Sequence, residues 1–171
     1  MKWFIQDSAM INFNELSSPE EPFRIFKEHY LNALQEKQSA VEAIVISSIG
    51  INMEYADARY VNLKYVTNDS LIFFSNYQSN KASQFNEYKN SMVSAVIYWD
   101  ALNIQIRMRG HINQCSNDFS DSHFHGRGDS KNALAISSKQ SKKINNYEDV
   151  IKNYQLTLDE GNLSKRPVYW G

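Results

Sequence analysis

The chain has 171 residues, of which 42% are hydrophobic and 13% aromatic, and its net charge is −1. This length suits one domain with a sizeable core, and the balanced charge argues against nucleic acid or an anionic membrane as a partner. Its single cysteine, Cys115, excludes a disulfide within the chain and favours a reduced cytoplasmic setting, and no apolar run is long enough to span a membrane.

The first third of the chain is predicted to form an arm, a helix and a strand. Residues 1–18 are expected to be an extended arm, and the prolines and early acids of residues 17–22 predict the start of a helix. The next apolar residues recur at helical spacing and predict one buried face: Phe23, Phe26, Tyr30, Ala33 and Leu34. The β-branched run Ala43–Ile49 predicts a strand, followed by a turn at residues 50–53.

The stretch at residues 58–81 carries the strongest chemical signal. Two β-like runs, at residues 59–64 and 71–74, flank a turn, and a polar loop then leads into a helix that Ser79 can cap. Two cations and two hydroxyls can converge on one anion there: Arg59, Lys81, Ser75 and Ser79. A helix N-terminus presents free N–H groups and a positive dipole end, so the pattern favours a phosphate.

Two further strands are predicted in the middle of the chain, after a short helix at residues 81–89. The run Met92–Trp99 is almost continuously apolar, which predicts a strand covered on both faces. From Ile104 onward apolar and polar residues alternate, which predicts a strand with one polar face that extends to about Cys115.

The remainder of the chain is predicted to be helical. A helix over residues 116–125 is followed by glycines, and Asp129 or Ser130 is expected to cap the next helix. The last helix is predicted at Tyr147–Glu160, with Gly161 at its end. Strands at short spacing, interrupted by helices that do not alternate regularly with them, favour an α+β fold.

Five motifs, in order, resemble the pyridoxine (pyridoxamine) 5′-phosphate oxidases, which are FMN enzymes. They are R-x-V-x-L-K from residue 59, F-F-S-N-x-x-S-x-K from residue 73, W-D-A-L-N-I-Q-I-R from residue 99, S-K-Q-S from residue 138 and R-P-V-Y-W-G from residue 166. The resemblance covers the chain from about Glu21 onward. It implies a single FMN-binding domain over residues 1–171, a split β-barrel of six or so mainly antiparallel strands with peripheral helices, and a homodimer with flavin sites at the interface.

The resemblance also implies which residues hold FMN. Arg59 and Lys81 are assigned to its phosphate, Gln105 to the isoalloxazine edge, and Gln140 with Ser141 to the flavin of the other subunit. Taken alone, these would be surface charges, a solvated strand residue and a loop. The full set of expected FMN contacts is Arg59, Tyr60, Val61, Asn62, Leu63, Lys64, Phe74, Ser75, Ser79, Asn80, Lys81, Gln105, Gln140 and Ser141.

Two departures from the family pattern bear on the cofactor and substrate. Asn80 stands where the family usually has a second arginine, which implies weaker FMN binding. The family's W-G motif is followed by a strand that holds flavin and substrate, whereas this sequence ends at Gly171, so slow oxidation of pyridoxine 5′-phosphate is expected. The four histidines lack the spacing of metal ligands, so no metal site is expected.

The substrate contacts follow from the same resemblance. Lys64 falls between cofactor and substrate, and His123, Arg127 and Ser130 fall where the family has a tyrosine, an arginine and a serine on the substrate phosphate. This segment is one residue shorter than usual, so Arg127 can match either of two family arginines. His123 and His125 can equally be ordinary helix residues.

The sequence therefore predicts an FMN-dependent oxidase that passes a hydride from a small molecule to flavin N5, with O2 as the final acceptor. No catalytic side chain is expected, because the flavin carries the chemistry. Two alternatives stay open. One is a protein of the same fold that oxidises a different small molecule, as in secondary metabolism, and the other is a flavin-binding dimer without turnover.

Overall fold

The computed structural model describes residues 10–13, 20–87 and 92–171. Its regular elements are β1 Asn12–Phe13, α1 Glu21–Gln35, β2 Ala43–Ile49, β3 Ala56–Val66, β4 Leu71–Phe73, α2 Asn80–Glu87, β5 Met92–Trp99, β6 Ile104–His111, α3 Asn117–His125, α4 Asp129–Ser137 and α5 Tyr147–Glu160. Short 3₁₀ turns lie at Ile51–Met53 and Asp100–Leu102. The predicted arm falls largely outside the described residues, as does the predicted helix end at residues 88–89.

The chain forms two compact units. The first unit comprises the described residues of Met1–Ser48, Ala56–Phe74 and Met92–Gly110. The second unit comprises those of Ile49–Tyr55, Ser75–Ser91 and His111–Gly171. Nearly all of the strand residues lie in the first unit, and helices α2 to α5 lie in the second.

The first unit is built on a six-stranded sheet. Its strand order is β1-β3-β2-β5-β6, with β4 paired to β3 beside this path. Strand β1 runs parallel to β3, whereas β3 with β4 and β2 with β5 are antiparallel. Strands β2 and β5 have the predicted limits, and β6 ends at His111 rather than near Cys115. The path is open among the described strands, and the prediction of six mainly antiparallel strands with peripheral helices is confirmed.

The core of the first unit is an aromatic cluster between α1 and the sheet. Trp99 is 1% exposed, and its ring centroid lies 5.6 Å from that of Phe26 and 6.4 Å from that of Tyr30. The Trp99 indole N–H donates to the carbonyl of Val41 at 3.0 Å. Burial of an indole requires such a partner, because an unpaired buried donor is costly. The predicted apolar face of α1 is thus confirmed.

Strand β5 differs from its prediction. Met92 is 58% exposed and Tyr98 55% exposed, so one face of this strand is open in the single chain. Successive side chains of a strand point to opposite faces, and only Ile97 and Trp99 at its end are buried. The expectation that β5 is covered on both faces is wrong for this chain, because apolar composition does not report whether a second layer is present.

In the second unit, short polar side chains set the helix starts. Ser116 accepts a hydrogen bond from the Phe119 N–H at 3.2 Å, which caps α3 as predicted. The prediction for α4 is wrong, since Gly128 is its N-cap residue and Asp129 lies in the first turn. The extended backbone of Gly128 starts this helix one residue earlier than expected. No helix of the described residues is long and apolar enough to cross a bilayer.

Candidate cofactor and substrate site

The C-terminal segment 166–171 pairs with the loop that leads into α2. The Ser75 N–H donates to the Gly171 carbonyl at 2.8 Å, and the Gly171 N–H donates back to the Ser75 carbonyl at 3.1 Å. The Tyr77 N–H donates to the Tyr169 carbonyl at 2.6 Å, which completes a short antiparallel pair. A Cβ atom added at Gly171 would lie 2.8 Å from Tyr77 Cζ, so a larger residue here would displace the Tyr77 side chain. The backbone of the loop is therefore fixed by the end of the chain.

A cation is held at the start of α2. Lys81 Nζ donates to Ser79 Oγ at 3.0 Å and to Gln140 Oε1 at 2.9 Å. Ser79 is fully buried and immediately precedes the helix, and its carbonyl accepts from the Ser83 N–H at 3.2 Å. The contacts with Ser79 Oγ and Gln140 Oε1, which are neutral oxygens, orient the Lys81 ammonium.

A buried hydroxyl lies on the same loop. Ser75 Oγ is buried and has no hydrogen-bond partner among the described residues. An orphaned hydroxyl of this kind is uncommon in a native structure, and it fits a site that is completed by a polar ligand. Ser79 and Lys81 lie at the helix N-terminus, which suits an anion, and Ser75 precedes them on the same loop.

Arg59 is held by its own sheet in the first unit. Its Nη1 donates to Ser48 Oγ at 2.8 Å and to the Ile46 carbonyl at 3.3 Å, and its Nη2 lies 2.6 Å from Asp57 Oδ2. The side chain is 17% exposed. Arg59 therefore has a fixed direction on β3, and Asp57 is an acidic partner that the sequence did not reveal.

A second positively charged side chain, that of Arg127, packs against the Trp170 ring. The Arg127 guanidinium carbon lies 4.3 Å from the centroid of the Trp170 ring and 5.6 Å from that of Phe124. Arg127 Nη2 donates to the Lys131 carbonyl at 2.7 Å, whereas the buried Nη1 has no hydrogen-bond partner among the described residues. Burial lowers the pKa of Arg127 to about 10 by desolvation of the charged form, so it remains a cation at neutral pH.

Arg166 anchors the same segment to α3. Its Nε donates to Asp121 Oδ1 at 2.6 Å, its Nη2 donates to Asn117 Oδ1 at 3.0 Å, and its Nη1 donates to the Trp170 carbonyl. The Arg166 side chain is only 7% exposed. A charge buried to this degree is stable only when it is paired, as it is here with Asp121.

Comparison with known proteins places the chain in a family, although no protein-family model matches it. It is 32% identical over 161 residues to the pyridoxine/pyridoxamine 5′-phosphate oxidase of Colwellia psychrerythraea, which covers 92% of this chain and 72% of that protein. It is also 32% identical over 170 residues to the enzyme of that name from Legionella pneumophila strain Lens, which covers 97% of this chain and 77% of the relative. The chain belongs to the pyridoxine/pyridoxamine 5′-phosphate oxidase family.

Two solved structures have the same fold as this chain. PhzG from Burkholderia lata 383, in complex with tetrahydrophenazine-1-carboxylic acid, superposes with a TM-score of 0.81 at 20% identity, over 90% of this chain and 74% of PhzG. A pyridoxamine 5′-phosphate oxidase-related, FMN binding protein from Nostoc punctiforme PCC 73102 gives 0.69 at 15% identity, over 88% and 78% of the two chains. The predicted α+β split-barrel fold is thereby confirmed.

The structure separates the expected oxidase-family site residues into groups. In the first unit, Val61 and Leu63 are buried in the core, Tyr60, Asn62 and Gln105 are exposed, and Lys64 and Phe74 are half-buried. In the second unit, Ser79, Lys81 and Gln140 form one cluster, half-buried Ser75 lies on the loop before it, and exposed Asn80 and Ser141 are next to it in sequence. Because Val61 and Leu63 turn their side chains into the core, only their backbone groups can serve a ligand.

Gln140 contacts Lys81 of its own chain at 2.9 Å, whereas the family resemblance assigned it to the flavin of the other subunit. Among the expected substrate residues, His123 stacks on Trp170 with ring centroids 6.1 Å apart and planes 8° apart, and Ser130 is exposed in the first turn of α4. The sequence missed the contacts of Arg166 and Trp170, although their motif was noted. Among the described residues, no group of three or more His, Cys, Asp or Glu side chains is placed to hold a metal ion.

Proposed function

We propose that the chain binds FMN non-covalently and works as an FMN-dependent oxidase of a small molecule. The observation that carries this proposal is the cluster at the start of α2, in which Ser79 and Gln140 orient the Lys81 ammonium. A phosphate at this helix N-terminus would receive an oriented cation, backbone N–H groups and the favourable end of the helix dipole. The orphaned hydroxyl of Ser75 lies on the same loop. The Nostoc relative, described as FMN binding, supports the same cofactor for this chain.

Arg59 is proposed as a further contact of the FMN phosphate. A guanidinium carries five N–H donors in a planar fork, and the contacts with Ser48, Ile46 and Asp57 fix its direction. A fixed fork suits a phosphate better than a mobile one, because less side-chain entropy is lost on binding. The family resemblance supplies the remaining contacts and the expectation of a single FMN-binding domain.

Arg127 is proposed to bind the anionic group of the substrate, with Ser130 and Lys64 as further contacts. Its guanidinium is charged at neutral pH, and its buried Nη1 has no hydrogen-bond partner in the part of the chain that the structure describes. When bound, FMN supplies the redox chemistry, namely acceptance of a hydride at N5 and return of the electrons to O2. The residues of this chain hold cofactor and substrate in reacting geometry and restrict the access of water.

The substrate is proposed to be pyridoxine 5′-phosphate or a related phosphate, because the curated relatives carry that name. A second candidate is a reduced ring carboxylate, as in the PhzG complex, whose ligand is tetrahydrophenazine-1-carboxylic acid. The specific observation in its favour is His123, which occupies the family's tyrosine position and stacks on Trp170. In the family this tyrosine contacts the substrate phosphate, and here His123 takes its place. Arg127 can pair with a carboxylate as well as with a phosphate.

A homodimer is proposed for the same protein. Tyr60 is 75% exposed, Met92 58% and Tyr98 55%, and all three lie on strands of the first unit. Several large apolar side chains exposed on the strands of one sheet favour a surface that a second subunit covers. Sedimentation equilibrium of the FMN-loaded protein should give twice the chain mass, and a stable FMN-loaded monomer would exclude the dimer.

Two assays test the proposal in sequence. Titration of the protein into FMN, followed by flavin fluorescence, should show saturable quenching, and the desalted complex should stay yellow. Peroxide release is then measured with pyridoxine 5′-phosphate and with tetrahydrophenazine-1-carboxylate, each of which has a hydride to give, under saturating FMN. Turnover of either compound identifies the substrate class, whereas bound FMN without peroxide from both would favour the flavin-binding dimer. Unquenched FMN fluorescence would reject the cofactor and the function together.

A further inference from the structure

We infer that Trp170 is a positioning residue that holds the Arg127 guanidinium in the orientation in which it receives the anionic group of the substrate. The inference rests on the proposed function only in that Arg127 is taken as the anion contact. Trp170 is buried, with 8% of the residue exposed.

Few contacts other than Trp170 fix the plane of the guanidinium. One hydrogen bond, from Nη2 to the Lys131 carbonyl at 2.7 Å, holds one corner of the fork. None of the described carboxylates forms an ion pair with Arg127. The Trp170 ring lies 4.3 Å from the guanidinium carbon, closer than the Phe124 ring at 5.6 Å. Contact between a guanidinium and an indole face is attractive and directional, so Trp170 sets the tilt of the fork.

Trp170 is itself held from both sides along the chain. Its carbonyl accepts a hydrogen bond from Arg166, which is bound in turn to Asp121 and Asn117 of α3. The residues on either side of it, Tyr169 and Gly171, pair with the loop that leads to α2. These contacts fix the backbone at Trp170, and the ring itself is stacked on His123 and meets Phe124 edge-on, which holds its plane.

The arrangement has a consequence for ligand affinity. The unpartnered Nη1 of Arg127 can donate to an anion only if the fork is held at the correct angle, because bidentate recognition of phosphate or carboxylate is geometric. Without the indole, the long side chain keeps one hydrogen bond and regains rotamers, which must be lost again on binding. Removal of the ring should thus weaken the recognition of the anionic group and spare the rest of the ligand.

The test compares the dissociation constants of pyridoxine and pyridoxine 5′-phosphate, measured by calorimetry on FMN-loaded protein. The dissociation constant of pyridoxine divided by that of pyridoxine 5′-phosphate reports the contribution of the anion contact alone. We expect Trp170→Leu to reduce this ratio about tenfold and Trp170→Phe, which keeps a smaller ring, to reduce it about threefold. The affinity for unphosphorylated pyridoxine should not change. The matched control is Val168→Ala in the same segment, where the native side chain is 89% exposed and the ratio should stay at the wild-type value.

Several results would overturn the inference. An unchanged ratio in Trp170→Leu would do so, as would an equal loss of affinity for both ligands, which indicates a merely structural role. If Trp170→Leu does not fold, Trp170→Phe decides, and an unchanged ratio there has the same meaning. An unchanged ratio in Arg127→Leu would refute the assignment of Arg127 as the anion contact. Equal affinity of the wild-type protein for both ligands would do the same. Whether the protein binds FMN at all is measured separately, by the quenching of FMN fluorescence.

Discussion

Replacement of Lys81 by alanine tests the proposed phosphate site most directly. The Lys81 ammonium is oriented by Ser79 Oγ at 3.0 Å and Gln140 Oε1 at 2.9 Å, and a phosphate bound there would receive a charge-assisted hydrogen bond from it. Such a bond contributes about 1.5–3 kcal/mol, and at about 1.4 kcal/mol per tenfold the dissociation constant of FMN should rise roughly 10- to 150-fold. The helix N–H groups and Ser75 remain, so binding should be weakened and not abolished.

The assay is a fluorescence titration of FMN with wild-type and variant protein at one ionic strength, since salt screens the charge. The matched control is Lys139→Ala, which removes the same charge from an exposed residue next to Gln140 and should change the constant less than about twofold. Urea unfolding of both variants verifies that folding stability is similar. Equal FMN affinity in Lys81→Ala and Lys139→Ala would refute the assignment of this helix start to the phosphate.

Three further predictions concern stability and reactivity. Gly171→Ala should lower the free energy of unfolding in urea by about 1–3 kcal/mol, because the added Cβ would meet Tyr77. The control Gly110→Ala, with open space around the added atom, should change it by less than about 0.5 kcal/mol. Equal effects of the two substitutions would contradict the close approach at Gly171. Burial raises the pKa of the Cys115 thiol, so the free energy of unfolding should fall as pH rises above 9.0, where the unfolded chain ionises first. A disulfide reagent at pH 8 should react faster with urea-unfolded than with native protein. Equal rates would show that burial has no effect on this thiol. Trp99→Ala should cost about 3–5 kcal/mol in the same urea assay, because a buried aromatic ring is removed, and a loss below about 1 kcal/mol would mean that this cluster is not a core.

Local sequence determined most element boundaries and the family. Strands β2 and β5 and helices α3 and α5 lie where β-branched runs, helical periodicity and capping residues place them. Such signals are local, because a cap or a strand preference acts within a few residues of its source. The motifs also sufficed to recognise the oxidase family and to name Lys81, Arg59 and Arg127 as the cations of interest.

Tertiary structure decided which groups these cations meet. The partner of Lys81, Gln140, is 59 residues away in sequence, and Arg166 reaches Asp121 across 45 residues. The contact of Trp170 with Arg127 likewise depends on the pairing of the chain end with the loop before α2. Contacts at such separation follow from how the elements pack, which no local preference encodes. The open face of β5 has the same origin, since an apolar strand carries no record of whether a layer lies above it.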